Sequence, residues 1–289
     1  MQDDLKKLAA EKAVEEIRSG MIVGLGTGST VQFALEKIAQ KIKSGELENI
    51  YCVPSSVRTE VEANRLGIPL LTFEEIVKRK MKYDEGGNKI INDKLKIKKV
   101  NSEENTSDPL PSNLSPLAEN VLASRLSPLA PIDLTIDGAD EFAIGDPEFT
   151  EGAKRIDLIK GGGGALLREK ILAQSSRRFV VIIDESKLSD HLGEKWAVPV
   201  EVIKFSASIE EEFLKSLGAQ VNRRKNSDGT DYITDEGNYI IDTNFGIMKD
   251  PAKIADILDK RAGIVEHGLF IGIADEVVCA CRNGEIRII

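Results

Sequence analysis

Residues 21–30, which read MIVGLGTGST, decide the fold because they join an apolar run to a glycine loop and then to a helix. The run at 21–23 predicts a short strand, and apolar residues from Val31 to Ile42 recur at helical spacing. A strand, a glycine loop and a helix in this order are typical of a parallel α/β sheet. The loop therefore places the free N–H groups of a helix N-terminus where they favour an anion.

Two nucleotide-binding motifs do not fit this loop. A G-x-G-x-x-G fingerprint that starts at Gly24 needs a glycine where the chain has Ser29, and a P-loop needs a lysine after its last glycine. Two interpretations remain open. The loop is either a phosphate cradle with hydroxyl donors from Ser29 and Thr30, or a tight turn in which a hydroxyl caps the helix.

The pattern of strands and helices continues on both sides of the loop. A helix is predicted at 3–18, ending near Gly20. Further strands are predicted at 50–54, 68–73, 132–136, 156–159 and 179–183, and further helices at 57–66 and 165–174. This alternation favours a mostly parallel sheet with helices on both faces.

The pattern changes to a small α+β unit from about residue 198. Its strands are predicted at 198–203, 219–224, 231–234 and 238–242, and its helices at 208–217 and 251–261. Residues 269–289 then predict two short strands around the Asn283-Gly284 turn. We therefore expect two domains, one of residues 1–197 and 268–289 and one of residues 198–267.

A long segment interrupts the first domain. Residues 78–131 are rich in Lys, Ser and Asn, and residues 101–131 hold five of the ten prolines. Prolines at this density do not suit a central strand. We therefore interpret 78–131 as an insertion and not as a further domain.

The composition excludes several classes of protein. Apolar residues make up 41% of the 289 residues, which argues against disorder, and a net charge of −9 disfavours a nucleic-acid partner. Three cysteines do not make a disulfide framework, and His191 and His267 are too few for a histidine-based metal site. No apolar run approaches the ~20 residues of a membrane span, and the charged start carries no signal core. We expect a cytoplasmic protein without a membrane partner.

A second candidate site follows the strand predicted at 132–136. Residues 137–141 read DGADE, so Asp137 and Asp140 flank a glycine bend at the carboxyl end of a sheet strand. Ligands of α/β proteins bind at this edge, and neighbouring carboxylates shift each other's pKa values in a way that suits proton transfer. The alternative is an Asp-Gly turn in which the second aspartate caps a helix.

A third candidate site is the run of four glycines at 161–164, which leads from a strand into a helix. Successive glycines are entropically costly, so we expect backbone conformations that only glycine adopts. Lys160 stands at the entrance of the run, and Glu169 lies one turn into the helix with its side chain able to lean back towards the glycines. A flexible linker is the alternative.

The three segments together supply two anion cradles, three carboxylates and a lysine. They supply no nucleotide fingerprint, no nucleophilic Ser–His pair and no set of metal ligands. This inventory favours proton transfer on a phosphorylated small molecule, without a metal, over hydride or acyl transfer.

These segments resemble the signature of one known family. The stretches at 27–30, 137–140 and 160–170, in this order, are similar to those of type A ribose-5-phosphate isomerases. The resemblance extends over nearly the whole chain outside 78–131. It implies a Rossmann-like catalytic domain, a smaller α+β domain of ferredoxin-like type, and no cofactor.

The activity that this resemblance implies is the interconversion of D-ribose 5-phosphate and D-ribulose 5-phosphate through an enediol, in the non-oxidative pentose phosphate pathway. Glu169 matches the family's base, which moves the proton between C2 and C1. Asp137 and Asp140 match the carboxylates that handle oxygen-bound protons, and Lys160 matches the cation beside the enediolate oxygen. The implied substrate contacts are Lys6, Thr27, Gly28, Ser29, Thr30, Gly138, Ala139, Gly161, Gly162, Gly163 and Lys187.

The chain departs from the family pattern in two places, the insertion at 78–131 and a long connection at 141–160. Both lie near catalytic segments, so they bear on substrate breadth and on subunit contacts. The family implies a homodimer or a homotetramer. A non-catalytic sugar-phosphate sensor of similar fold, and an enzyme acting on another phosphosugar or on an acyl-CoA, remain as alternatives.

Overall fold

The glycine loop lies at the carboxyl edge of a central sheet. The computed structural model describes residues 2–83, 89–91, 130–150 and 154–289. The helices in these ranges are α1 (Gln2–Val14), α2 (Ser29–Lys43), α3 (Val57–Leu66), α4 (Phe73–Lys80), α5 (Leu166–Gln174), α6 (Ala207–Ser216) and α7 (Pro251–Asp259). The strands are β1 (Ile22–Leu25), β2 (Tyr51–Pro54), β3 (Met81–Tyr83), β4 (Lys89–Ile91), β5 (Leu134–Gly138), β6 (Glu141–Ile144), β7 (Ile156–Ile159), β8 (Phe179–Asp184), β9 (Val198–Val202), β10 (Gln220–Arg223), β11 (Tyr239–Asn244), β12 (Ile264–His267), β13 (Leu269–Ile271), β14 (Glu276–Ala280) and β15 (Ile286–Ile288).

The central sheet has six strands in the order β15-β14-β8-β5-β1-β2. All neighbours are parallel except β15, which returns antiparallel to β14 through the predicted Asn283-Gly284 hairpin. The carboxyl ends of β1, β5 and β2 therefore meet at one edge. The prediction of a mostly parallel, Rossmann-like sheet is confirmed.

Both faces of this sheet are covered, which explains the continuous apolar runs in its strands. Along β8, Val180 and Ile182 pack with α1 and α2, whereas Phe179, Val181 and Ile183 pack into a core on the other face. The second face also carries α5, whose Leu172 lies among residues of β2 and α4. Helix α5 is thereby fixed close to the carboxyl ends of β1 and β5.

A second, three-stranded antiparallel sheet follows the order β13-β7-β6. The strand at 156–159 was predicted within the regular α/β pattern, but it pairs with β6 and β13 and not with the central sheet. The long connection at 141–160 is thus largely a hairpin, of which residues 151–153 lie outside the described residues. This pairing carries the chain to Lys160 beside β5.

The small unit is a four-stranded antiparallel sheet in the order β10-β11-β9-β12 with α6 and α7. The chain order βαββαβ and this strand order are those of a ferredoxin-like fold, so this prediction is confirmed. Strand β12 was not predicted, and residues 231–234 form only a bridge from Asp231 to Lys225. The exact domain boundaries at 197/198 and 267/268 stay a prediction.

Two local predictions are wrong. The first helix ends at Val14 and not near Gly20, because the chain makes tight turns after Lys12 that bring Ile17 into the core. Residues 68–73 form no strand and contribute only a bridge from Leu70 to Cys52.

Most of the predicted insertion, residues 84–88 and 92–129, lies outside the described residues. At its start, α4 leads into the antiparallel pair of β3 and β4. No helix in the described ranges is long and apolar enough to cross a bilayer.

Candidate active site

Lys160 is the centre of a buried ion cluster. Its ammonium Nζ donates to the carbonyl oxygen of Gly138 at 2.5 Å and lies 2.8 Å from Asp137 Oδ2. Glu169 Oε2 is 3.6 Å from the same nitrogen. Lys160 is 2% exposed, Asp137 0% and Glu169 3%. The ends of β7 and β5 and the start of α5 thus bring three of the four predicted catalytic residues together.

The aspartate is held by the glycine loop after β1. Asp137 Oδ1 accepts the backbone N–H groups of Gly138 at 2.7 Å and of Thr27 at 3.1 Å. A Cβ atom on Gly26 would lie 1.9 Å from this oxygen, so the loop passes the carboxylate at a distance that only glycine allows. The loop at 24–30 therefore orients the carboxylate of Asp137, a role beyond the two interpretations given to it from sequence.

Glu169 is placed by the first turn of α5, where its backbone N–H bonds to the carbonyl of Ala165. Its buried Oε2 accepts no hydrogen bond from the described residues. Burial raises the pKa of Glu169 to about 8, assisted by the negative charge of Asp137 and opposed by Lys160. A buried carboxyl that ionises near neutral pH, with a free lone pair, is suited to act as a general base.

The ammonium of Lys160 acts on the pKa values of both buried carboxyl groups. Burial also raises the pKa of Asp137, but Lys160 and the N–H groups of Gly138 and Thr27 oppose that rise. Burial alone would lower the pKa of Lys160, yet Asp137 and Glu169 outweigh it and the pKa lies above its usual value. Lys160 therefore stays an ammonium, with Asp137 as its nearest partner and Glu169 farther away.

Asp140 is joined to the glycine run and not to the lysine. Its Oδ2 accepts the backbone N–H of Gly162 at 2.7 Å. Gly161 and Gly164 have φ values of 94° and 85°, a left-handed conformation that supports the expectation of glycine-only positions. The run therefore forms a rigid turn against Asp140, and the flexible-linker alternative is wrong.

A cluster of hydroxyl groups at the same edge joins the predicted Thr27 to three residues that were not predicted as site residues. Thr27 Oγ1 lies 2.9 Å from Ser55 Oγ, 2.8 Å from Ser56 Oγ and 3.2 Å from Thr59 Oγ1. Thr59 in turn donates to the carbonyl of Gly26 at 2.9 Å. The available signal was that Ser55 and Ser56 directly follow β2, the strand next to β1.

The remaining predicted substrate contacts lie at the start of α2, in the glycine run and directly after β5. Gly28 precedes α2 with a φ of 127°, and Ser29 and Thr30 begin that helix, although no side chain caps it. A Cβ atom on Gly163 would lie 3.6 Å from Thr27. Ala139 is half-buried and packs against a core that holds residues of β8 and β14.

Two predicted lysines make no described contact with the ion cluster. Lys6 on α1 pairs with Asp3 at 3.3 Å. Lys187, in a 3-10 helix after β8, lies over the ring of Trp196 at 5.3 Å from the centroid. Contacts of either lysine with substrate stay a prediction.

A second, partly buried charge cluster involves Lys170 of α5. Lys170 Nζ lies 2.5 Å from Glu266 Oε1 and donates to the carbonyl of His267 at 2.7 Å, while His267 Nε2 lies 2.9 Å from Asp259. Asp259, Glu266 and His267 are close enough together to be ligands of one metal ion. However, the Lys170 ammonium is already paired with Glu266, so these residues form an ion-pair network.

The fold and the site together define a class of protein. A base whose pKa lies near 8, a buried ammonium and backbone N–H groups at the edge of a Rossmann-like sheet suit an enzyme that moves protons on a small anionic substrate.

Comparisons with known proteins identify the family. A family model described as ribose 5-phosphate isomerase A (phosphoriboisomerase A) matches residues 116–284. A ribose-5-phosphate isomerase A of Desulfatibacillum aliphaticivorans is 43% identical over 98% of this chain and 96% of its own length. The structure of ribose 5-phosphate isomerase from Plasmodium falciparum has a TM-score of 0.74 at 32% identity, covering 99% of this chain and 98% of that one. The chain belongs to the ribose 5-phosphate isomerase A family.

Family membership fixes the reaction. The protein is an aldose–ketose isomerase that interconverts D-ribose 5-phosphate and D-ribulose 5-phosphate. Among the alternatives left open by the sequence, the comparisons support the enzyme and give no support to a sugar-phosphate sensor.

Proposed function

We propose that Glu169 is the single base of this isomerisation. It takes the proton from C2 of the open-chain aldose, the C–H electron pair forms the C1=C2 bond of an enediolate, and the negative charge moves to O1. Glu169 then returns the proton to C1, and a proton passes from O2 to O1 to leave the ketose. The observation that carries this assignment is the buried carboxyl of Glu169, whose Oε2 lies 3.6 Å from Lys160 Nζ, whereas Asp137 lies closer to the lysine and also accepts two backbone N–H groups.

Lys160 stabilises the enediolate oxygen in this proposal. Its ammonium is already fixed by Asp137 and by the Gly138 carbonyl, so it meets the developing charge without reorganisation. The N–H groups of the glycine run at 161–164 add fixed dipoles beside it.

Asp137 and Asp140 move the oxygen-bound protons, including the one released when the sugar ring opens. Both carboxylates are held by backbone N–H groups, Asp137 by Gly138 and Thr27 and Asp140 by Gly162. This leaves each carboxylate with a fixed orientation towards substrate hydroxyls.

The phosphosugar substrate binds across the edge formed by 27–30, 138–139 and 161–163, with Lys6 and Lys187 as further contacts. A related structure supports a site for a phosphorylated, carboxylate-bearing ligand. The D-ribose-5-phosphate isomerase solved in complex with phospho-erythronic acid has a TM-score of 0.75 at 29% identity and covers 100% of this chain and 99% of its own. A carboxylate beside a carbon chain imitates the two oxygens of an enediolate.

The test is an isomerisation assay in deuterated water with EDTA present. Ribose 5-phosphate is expected to give ribulose 5-phosphate at an unchanged rate after EDTA treatment. Deuterium is expected at the carbon that receives the proton, in proportion to exchange at Glu169. A panel of other pentose and hexose phosphates sets the substrate breadth. Loss of activity with EDTA, restored by a divalent cation, would contradict the metal-free proposal.

The pH dependence of kcat/KM follows from the pKa of Glu169. The base must be ionised to accept a proton, and its pKa is raised to about 8. We expect kcat/KM to fall about tenfold for each pH unit below that value and to level off above it. Steady-state rates between pH 6 and 9.5 measure this profile. A flat profile down to pH 6 would show that the reacting base is another group.

We further propose that the protein is a cytoplasmic homodimer or homotetramer without nucleic-acid or membrane partners. Phe205 is 97% exposed and Ile209, on the adjoining helix α6, is 61% exposed. Large apolar side chains exposed on a surface support a subunit contact there. Sedimentation equilibrium measures the oligomeric state.

A further inference from the structure

Two side chains of the small domain bind the backbone of the glycine run. Arg224 Nη1 donates to the carbonyl oxygens of Gly161 at 3.0 Å and Gly162 at 3.1 Å. The hydroxyl of Tyr232 donates to the carbonyl of Gly163 at 3.3 Å. Three successive carbonyls of a catalytic-domain turn are therefore bound by two side chains of the ferredoxin-like unit.

The Gly161–Gly162 peptide links Arg224 to a catalytic carboxylate. The carbonyl oxygen of this peptide accepts a hydrogen bond from Arg224. The N–H of a trans peptide points the opposite way, and here it donates to Asp140 Oδ2 at 2.7 Å. A cation at the carbonyl end polarises the peptide and strengthens the N–H as a donor. Arg224 thus acts on Asp140 through one peptide group.

Arg224 also binds the next peptide, between Gly162 and Gly163. The Gly162 carbonyl accepts from Arg224, so the N–H of Gly163 points away from the guanidinium. This N–H donates no hydrogen bond within the described residues. Gly163 lies on the side of Thr27, as the 3.6 Å approach of a Cβ atom to that side chain indicates. The turn therefore holds a backbone N–H with no described acceptor in a residue that lies beside Thr27 of the glycine loop.

The guanidinium itself is firmly oriented. Its Nε and Nη2 bind both oxygens of Asp242 on β11, with Nε at 3.0 Å from Oδ2. Its Cζ lies 5.8 Å from the centroid of the Tyr232 ring, and the side chain is 14% exposed. Because this ion pair is planar and bidentate, the direction of Nη1 is fixed, and it points towards the carbonyl oxygens of Gly161 and Gly162. Tyr232 packs so closely that a Cβ atom on Gly164 would lie 2.2 Å from its hydroxyl.

We infer that Arg224 is a positioning residue for the isomerisation. It holds the carbonyls of 161–162 outward, so that the N–H groups of Gly162 and Gly163 face Asp140 and the oxyanion of the enediolate. The inference rests on the proposed catalytic cluster of Glu169 and Lys160. It gives the small domain a part in the chemistry, because this domain sets the direction of the dipoles that stabilise the intermediate.

The experiment compares Arg224→Met with Arg223→Met. Arg223 is the preceding residue, and its guanidinium pairs with Glu211 and Asp231 and makes no described contact with the glycine run. We expect R224M to lower kcat about tenfold or more while KM changes less than about threefold, because the donors act mainly on the intermediate. R223M is expected to keep wild-type kcat and KM.

Inhibition by 4-phospho-D-erythronate separates positioning from a merely structural role. We expect its inhibition constant to rise in R224M by the factor that kcat/KM loses. Arg224→Lys guards against misfolding, since it keeps a charge beside Asp242 but lacks the planar fork, and the same losses are expected from it. In Arg224→Ala, added guanidinium is expected to restore kcat severalfold, whereas Arg223→Ala does not respond.

Wild-type kcat and inhibitor affinity in R224K and R224M would overturn the inference. A loss of kcat with unchanged inhibitor affinity and no response to guanidinium would overturn it as well. Glu169→Gln, assayed in parallel, keeps the two proposals apart. If E169Q keeps its turnover, the proposed base is wrong; if E169Q is inactive and the Arg224 variants are normal, only the positioning role fails.

Discussion

Glu169→Gln is expected to lower kcat for ribose 5-phosphate by about 10²-fold or more while KM changes little. The amide has the shape of the carboxyl but does not accept the C2 proton, and the substrate contacts proposed for 27–30 and 161–163 remain in place. Turnover in both directions and equilibrium binding of 4-phospho-D-erythronate measure the two effects. Normal turnover in this variant would show that Glu169 is not the base.

A matched control is Glu210→Gln on α6. Glu210 is also a buried glutamate, at 2% exposure, but it pairs with Arg261 in the small domain. We expect this variant to lose stability and to keep its kcat once folded. Equal losses of kcat in both variants would indicate a general effect of removing a buried carboxylate.

The Glu169→Gln substitution also changes the pH dependence of the free energy of unfolding. Folding raises the pKa of Glu169 from 4.5 to about 8, so the folded protein keeps a proton that the unfolded chain has lost between these pH values. The contribution of this group to the free energy of unfolding is present below pH 4.5 and is lost as the pH rises to about 8. The glutamine variant lacks that loss, so its stability relative to wild type is expected to increase from pH 5 to pH 8.

Much of the central fold was predictable because its signals are local. The apolar run and glycines of 21–30 occupy one strand-to-helix unit, and β8 is a continuous apolar run at 179–183. The three-stranded sheet was not predictable in this way. Strand β7 pairs with β13, more than 100 residues later in the chain, and four-residue strands do not reveal which sheet they join. The pairing depends on tertiary contacts.

The clustering of Asp137, Lys160 and Glu169 was predictable for a different reason. Asp137 and Lys160 stand directly at the ends of strands, and Glu169 at the start of a helix, so the topology alone brings them to one edge. Arg224 gave no such signal, since it lies within the charged run Arg223-Arg224-Lys225. The positioning role proposed for it rests on a contact between domains, which the spacing along the chain does not encode.

Charge balance explains why one cation serves two carboxyl groups. Lys160 lies 2.8 Å from Asp137 and 3.6 Å from Glu169, so the aspartate is neutralised and an ionised Glu169 leaves the cluster with one excess negative charge. In the proposed step, in which Glu169 takes the proton from C2, that excess charge moves to the enediolate oxygen. The total charge of the pocket stays constant through the step, and the buried surroundings need little reorganisation.

The Lys160→Met substitution therefore tests the role of the shared cation. We expect kcat to fall by about 10²–10³-fold, because the fixed cation at the enediolate is lost. We also expect the free energy of unfolding to fall by about 3–5 kcal/mol, since Asp137 is left buried and unpaired. Steady-state kinetics and urea denaturation measure the two effects.

Two further variants separate these effects. In Lys160→Met combined with Asp137→Asn, the unpaired charge is removed, so stability is expected to recover while kcat stays low. Lys170→Met is the matched single control, because Lys170 is also buried and lies over the same Phe270 ring, 4.9 Å from its centroid against 5.4 Å for Lys160. It is expected to cost stability with a much smaller loss of kcat. If the double variant regained turnover together with stability, the lysine would serve the fold and not the intermediate.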